Sequence, residues 1–179
     1  MRFTREAYHR MVDVGILNSD DRVELLDGEI LMMSPIGPEQ GEFISRLNDF
    51  FVTHLPDDFQ CRVQLPIVVS DHSEPEPDLA VVRRHNIGYR SEHPSAADIV
   101  LLIEVASTSL GFDLGTKLRL YAGSQIAEYW VVDVDREVLV VHREPHALGY
   151  RSTQEFRAGA TIAPLQLPDC QLNLNWLFR

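Results

Sequence analysis

Two acidic residues stand where a negative charge is costly to bury. Asp78 ends the run Glu74-Pro75-Glu76-Pro77 and opens the apolar stretch Leu79-Ala80-Val81-Val82. Glu104 closes the aliphatic run Ile99-Val100-Leu101-Leu102-Ile103. An ionised carboxylate in a buried strand is unfavourable unless something pairs with it. If the two strands are antiparallel neighbours, the start of one lies beside the end of the other, and the two acids meet at one sheet edge. Carboxylates at that range repel, so one takes up a proton or both share a cation. Hard oxygen ligands with open positions suit Mg²⁺, with Mn²⁺ as a substitute. Mg²⁺ keeps several waters and recruits phosphate oxygens, and such an ion can activate water and stabilise charge building on a phosphodiester. The plainer alternative is that each acid is a surface residue at a strand end.

The basic residues narrow the choice. Fifteen of the sixteen are arginine, and Lys117 is the only lysine. Lysine and arginine are not chemically interchangeable, so a single lysine raises the question of what it does. Over a helix expected from Asp113 to Gly123, the residues Leu114, Lys117, Leu118 and Tyr121 fall on one stripe at i, i+3, i+4 and i+7. That stripe should face a sheet and turn Lys117 inward, where the preceding strand offers Glu104. A lysine so placed can hold or deprotonate an attacking water, or steady developing negative charge. The alternative is a lysine snorkelling at the rim of the stripe.

The elements that must position these groups follow from periodicity and punctuation. Thr4 to Leu17 reads as a helix. Val23 to Met33 reads as a hairpin around Asp27-Gly28, a dipeptide suited to two positive φ angles. Ser34-Pro35-Ile36-Gly37-Pro38 leads into a helix from Glu39 to Leu55, striped by Phe43, Ile44, Leu47, Phe50 and Phe51. Strands are expected over Phe59–Val69 with a break at Pro66, over Asp78–Val82, Ile99–Val105, Glu128–Asp133 and Val138–His142. The tail from Tyr150 offers two short strands and an apolar Trp176-Leu177-Phe178 that should dock on the body. The order predicts an α/β fold, with helices on both sides of a central mixed β-sheet. Residues 1–179 read as a single domain, since that length is ordinary for one.

Composition sets limits. No apolar run approaches the roughly 18 residues needed to span a bilayer, so no membrane partner is expected. The early charges Arg2, Arg5 and Glu6 leave no secretory signal. Two distant cysteines, Cys61 and Cys170, form neither a disulfide framework nor a zinc site, so a reducing, cytoplasmic location is expected. The net charge of −11 runs against nucleic-acid binding, which ordinarily draws on a basic surface. Any DNA contact must rely on a local basic strip, a metal or a partner chain. Arg83, Arg84 and Arg90 could touch a phosphate backbone, although arginines in a loop are more often merely solvated. His142 and His146, with Pro145 between them, read as surface residues.

Taken in order, Val23-Glu24-Leu25-Leu26-Asp27-Gly28-Glu29, Ser34-Pro35, Pro77-Asp78-Leu79-Ala80-Val81, Leu102-Ile103-Glu104-Val105, Asp113-Leu114-Gly115-Thr116-Lys117 and Glu128-Tyr129-Trp130-Val131-Val132-Asp133 carry a likeness over nearly the whole chain. Together they resemble the PD-(D/E)XK nuclease superfamily and, within it, the Uma-two-type family of restriction endonucleases, formerly a domain of unknown function. The resemblance implies a restriction-endonuclease-like core that hydrolyses DNA phosphodiester bonds with Mg²⁺. It implies Asp78 and Glu104 as metal ligands, Lys117 as the catalytic lysine, and Glu24 as an acid that completes the site or stands as a plain hairpin carboxylate. The superfamily's usual lysine position, two residues after the acid, is Ala106 here, and Lys117 on the following helix takes its place. Gln40 stands where relatives often carry histidine. Cutting both strands would call for a homodimer. A nuclease-like fold kept as a binding or regulatory module, with little turnover, is the alternative, and hydrolysis of a small phosphoester is a third.

Overall fold

The computed structural model describes residues 2–18 and 20–179. Its first helix, α1 (Arg5–Asp13), is capped by the Thr4 hydroxyl, which accepts from the Ala7 N–H. It ends four residues before the expected Leu17. The Val14 N–H still closes on Arg10, but Gly15 takes a φ of +76° and turns the chain out of the helix. The strands β1 (Val23–Leu26) and β2 (Glu29–Met32) form the expected hairpin. Asp27 (φ +49°) and Gly28 (φ +79°) make its turn. Helix α2 (Pro38–His54) follows, with Phe43, Ile44, Leu47, Phe50 and Phe51 as its buried stripe.

Six strands make the main sheet: β3 (Phe59–Val63), β4 (Leu79–Arg83), β5 (Ile99–Ala106), β6 (Glu128–Asp133), β7 (Val138–His146) and β8 (Gly149–Phe156), in that spatial order. Only β5 and β6 run parallel; the other neighbours are antiparallel, so the sheet is mixed. The crossover that parallel strands require is one continuous helical segment. It comprises α3 (Leu110–Phe112), a π-helical stretch at Asp113–Lys117, and α4 (Leu118–Gly123). A short ribbon, β9 (Thr161–Ile162) with β10 (Leu172–Asn173), and a last turn, α5 (Leu174–Leu177), complete the chain.

Strand alternation gives each sheet face its own core. Leu79, Val81, Leu101, Ile103, Val105, Trp130 and Val132 face α2 and the docked tail, where Leu177 and Phe178 are buried as expected. Ala80, Val82, Leu102, Ala106, Tyr129 and Val131 face the other way, toward Tyr121 and Ile126 of the crossover. Helices therefore cover both sides of the sheet. Glu104 shares the face of Leu102 and Ala106, so its carboxylate points toward the crossover helix.

Three sequence expectations need correction. Strand β3 stops at Val63 rather than Val69 because Gln64 adopts a left-handed φ of +49°. The tail holds three strands rather than two, since β8 extends the main sheet. His142 is not a surface residue: it is 3% exposed, its ring stacks on Tyr129, and its Nδ1 lies 2.9 Å from the Thr153 hydroxyl. Burial pushes its imidazole down to about 4, so it stays neutral near pH 7. Its position in β7, opposite Thr153, rather than its spacing from His146, decides its environment. Among the described residues no helix is long and apolar enough to cross a membrane.

The hairpin is strapped onto the segment that leads into Asp78. The Glu74 N–H donates to the Leu25 carbonyl at 2.7 Å and the Gly28 N–H to the His72 carbonyl at 2.7 Å. The Asp27 N–H donates to the Ser73 hydroxyl at 2.8 Å. Helix α1 clamps the same segment through Arg5 and His9, both bonded to the buried Glu74 carboxylate. At Gly28 the N-terminal segment crosses so closely that an added Cβ would meet Arg2 Cβ at 2.6 Å and Phe3 backbone atoms at 3.0 Å, at a φ only glycine adopts freely. Gly28→Ala is therefore expected to lower unfolding stability by about 2 kcal/mol, read from the urea midpoint. An unchanged midpoint would mean that the N-terminal segment does not hold the hairpin in place.

Candidate active site

The antiparallel pairing of β4 with β5 places Leu79 opposite Ile103, which brings Asp78 alongside Glu104. The Asp78 N–H donates to Glu104 Oε2 at 3.2 Å, and the Val105 N–H donates to Asp78 Oδ2 at 2.8 Å. Each acid is thus held by the other's strand. Glu104 is 3% exposed and Lys117 6%. Lys117 Nζ donates to Glu104 Oε1 at 3.0 Å and lies 3.5 Å from Glu24 Oε2. The Tyr121 hydroxyl donates to the same Glu104 oxygen at 2.9 Å. Glu24 Oε2 also accepts from the Glu76 N–H at 3.1 Å, tying the hairpin carboxylate to the Asp78 segment.

Glu24, Asp78, Glu104 and Lys117, the four residues singled out by the sequence, line one cavity of about 410 Å³. Gln40, in the first turn of α2, lines it too. Leu31, Met32, Met33, Ile36 and Phe112 give it an apolar wall. Arg83 and Arg84 lie at the opposite end of β4, roughly 17 Å along the strand from Asp78. Arg83 donates to Gln166, and Arg84 donates to the Asp57 and Phe59 carbonyls. They take no part in this cavity.

The electrostatics follow from burial among acids. Burial raises the Glu104 carboxyl well above the usual carboxyl range, against the pull of Lys117. Burial would lower the Lys117 ammonium, but Glu104, Glu24 and Asp113 together hold it above the ordinary lysine value. The ammonium therefore stays charged at neutral pH. A charged ammonium suits holding a water or steadying anionic charge better than taking up a proton as a general base. Burial also raises the half-buried Glu76 carboxyl, opposed by the Arg22 guanidinium.

Several participants escaped the sequence reading. Asp113 is buried, accepts from the Ser109 hydroxyl at 2.6 Å, and has its carboxyl pushed up to about 6 by burial. With Lys117 and Tyr121 it forms an i, i+4, i+8 series on the inward side, while Leu114 and Leu118 are only half buried. That spacing was a legible signal for Asp113, while Tyr121 stood on the expected inward stripe without its bond to Glu104 being foreseen. Gln64 had none: its Nε2 donates to Asp78 Oδ1 at 3.3 Å and its N–H to the Asp78 carbonyl at 3.0 Å. Both bonds depend on a left-handed backbone that glutamine rarely adopts.

Comparison with known proteins adds to this geometry. Residues 5–175 match the Uma2 family, described as "Putative restriction endonuclease". A search of curated proteins gives no match. Among solved structures, the chain is similar to a crystal structure from Anabaena variabilis described as a putative nuclease belonging to DUF820. The TM-score is 0.76 at 15% identity, covering 98% of this chain and 97% of that one. At that identity the likeness speaks for the fold.

The Asp113 carboxyl supplies a test of the electrostatics. Because the folded state holds its proton more tightly, the wild type is expected to lose stability relative to Asp113→Asn as pH rises from 3.8 to about 6. The difference should reach about 3 kcal/mol in paired denaturation curves. Parallel pH profiles for the two proteins would contradict the burial argument.

Proposed function

The chain belongs to the Uma2 family, and from that premise we propose that it is an endonuclease hydrolysing DNA phosphodiester bonds with Mg²⁺, or Mn²⁺ in its place. A homodimer would bring the two sites needed to cut both strands. The observation that carries this reading is the Lys117–Glu104 hydrogen bond beside Asp78, at the wall of an open cavity.

The residues present fit a hard divalent cation. Asp78 and Glu104 both present carboxylate oxygens at the cavity, and Asp78 Oδ1 receives only a 3.3 Å bond from Gln64. Among the described residues no group of three or more His, Cys, Asp or Glu side chains is arranged to hold a metal. Two carboxylates are nevertheless an ordinary protein contribution for Mg²⁺, which completes its shell with waters and phosphate oxygens. When bound, the cation supplies Lewis-acid charge for the phosphoryl oxygens and lowers the pKa of water.

The chain's own residues set the rest of the chemistry. Backbone N–H groups from the neighbouring strand fix both acids before substrate arrives. Lys117, charged and held by Glu104, donates to the attacking water or to a phosphoryl oxygen of the pentacoordinate transition state as negative charge accumulates there. Glu24 shares the ammonium and keeps it protonated. Tyr121 fixes the Glu104 oxygen that Lys117 uses.

Cleavage of supercoiled plasmid and short duplex DNA with Mg²⁺ or Mn²⁺ tests the proposal. Asp78→Ala and Lys117→Met are expected to lower the rate by about 10²–10⁴-fold. Lys117→Met also leaves Glu104 without its cation, a change of about 3–5 kcal/mol in stability for a buried pair, so its folding is checked alongside. Asp78 is half buried and gives the cleaner variant. Wild-type protein that binds DNA without cutting any substrate at low salt would replace the nuclease with a binding module.

A further inference from the structure

The cavity that holds the carboxylates is acidic, which poses a problem for a polyanionic substrate. Glu24, Glu76, Asp78, Glu104 and Asp113 line it, against two cations, Lys117 and Arg22. The Lys117 ammonium is engaged by Glu104 and Glu24, and nearby Arg5 is engaged by Glu74. Arg22 differs. It is exposed, it lines the cavity, and among the described residues its guanidinium has no carboxylate within ion-pair distance.

Its placement is set by the backbone. The Arg22 carbonyl accepts from the Met33 N–H at 2.8 Å, which extends the hairpin pairing by one step beyond Val23–Met32. Arg22 precedes β1 at a tight turn, where the Val23 N–H donates to the Asp21 carbonyl at 3.0 Å. From there its side chain lines the same cavity as Glu24, exposed at the mouth while Glu24, Lys117 and Glu104 are buried deeper. A guanidinium offers a planar pair of donors that matches two phosphate oxygens.

We infer that Arg22 binds a phosphate of the substrate strand at the cavity mouth, an inference that rests on the nuclease reading above. It is a substrate-binding residue, separate from the carboxylates. Its charge, engaged by no close carboxylate among the described residues and offset only at longer range by Glu76, gives the strand a foothold that the overall acidity of the chain denies elsewhere around the site.

The test is steady-state cleavage of a fluorescein-labelled DNA duplex by the full chain with Mg²⁺ over a series of NaCl concentrations, comparing wild type, Arg22→Gln and Arg22→Lys. Arg22→Gln is expected to raise KM about tenfold with kcat within about twofold. It should also flatten the slope of log(kcat/KM) against log[NaCl] by about 1, the signature of one lost phosphate contact. Arg22→Lys should recover the slope and part of the KM. A merely structural role for this exposed residue would leave the salt slope unchanged. An unaltered KM and slope in Arg22→Gln, or a loss confined to kcat, overturns the inference while the nuclease stands. A wild type that cleaves no DNA overturns both and is recognised because the variants then have nothing to lose.

Discussion

A carboxylate inside a fully buried strand organises this molecule. Glu104 occupies the sixth position of β5, all eight residues of which are buried, and an unpaired charge there would be strongly destabilising. Its satisfaction reaches into three other parts of the chain. The crossover helix must present Lys117 and Tyr121 to one of its oxygens. The segment entering β4 must present the Asp78 N–H to the other. Lys117, once buried, needs further negative charge, which brings the hairpin's Glu24 over the top. The straps between the hairpin and residues 72–76 follow from the same demand, because they hold Glu24 at the depth where the ammonium lies.

How much of this could be read beforehand depended on whether a residue's role was written in local pattern. Asp78 and Glu104 were legible because acids at the ends of apolar runs violate the strand pattern, and antiparallel pairing was the arrangement that joined them. Lys117 was legible from its uniqueness and its stripe. The mixed sheet and its helices on both sides followed from the run of elements, whereas the spatial order of its strands did not. Gln64 was not legible, since its role depends on a left-handed backbone that its side chain does not favour. His142 was misread as surface because its burial comes from Tyr129 and Thr153 on neighbouring strands, which no reading along the chain brings together. The π-helical stretch was equally hidden. A helical stripe predicts which side faces inward but not that the winding loosens midway.

The acidity of the chain also takes on a different aspect once located. At the cavity the negative charge is concentrated on residues that lean on one another: Lys117 neutralises part of it, and burial raises the carboxyls of Glu104, Asp113 and Glu76 above their ordinary values. An acidic composition is then compatible with a polyanionic substrate, provided a bound cation and the cavity's exposed arginine reverse the local field. Loops elsewhere need contribute little.

The π-helical stretch from Asp113 to Lys117 has a consequence for how this site could have arisen and how it can be lost. Such a stretch amounts to one residue more than the α-helix around it would accommodate. Removing a single residue there would rewind the segment to regular α-helix while leaving the flanking turns in nearly their present orientation, because the wide turn absorbs the extra residue locally. Asp113 and Lys117 would then stand three residues apart instead of four, and the carboxyl and ammonium would lose their present spacing beside Glu104. The crossover would still span the sheet and still join β5 to β6. A one-codon deletion could thus erase the lysine's alignment while leaving the architecture in place, and a one-codon insertion could have created it. The spacing between acid and lysine is in this sense an inherited register, separable from the fold that carries it.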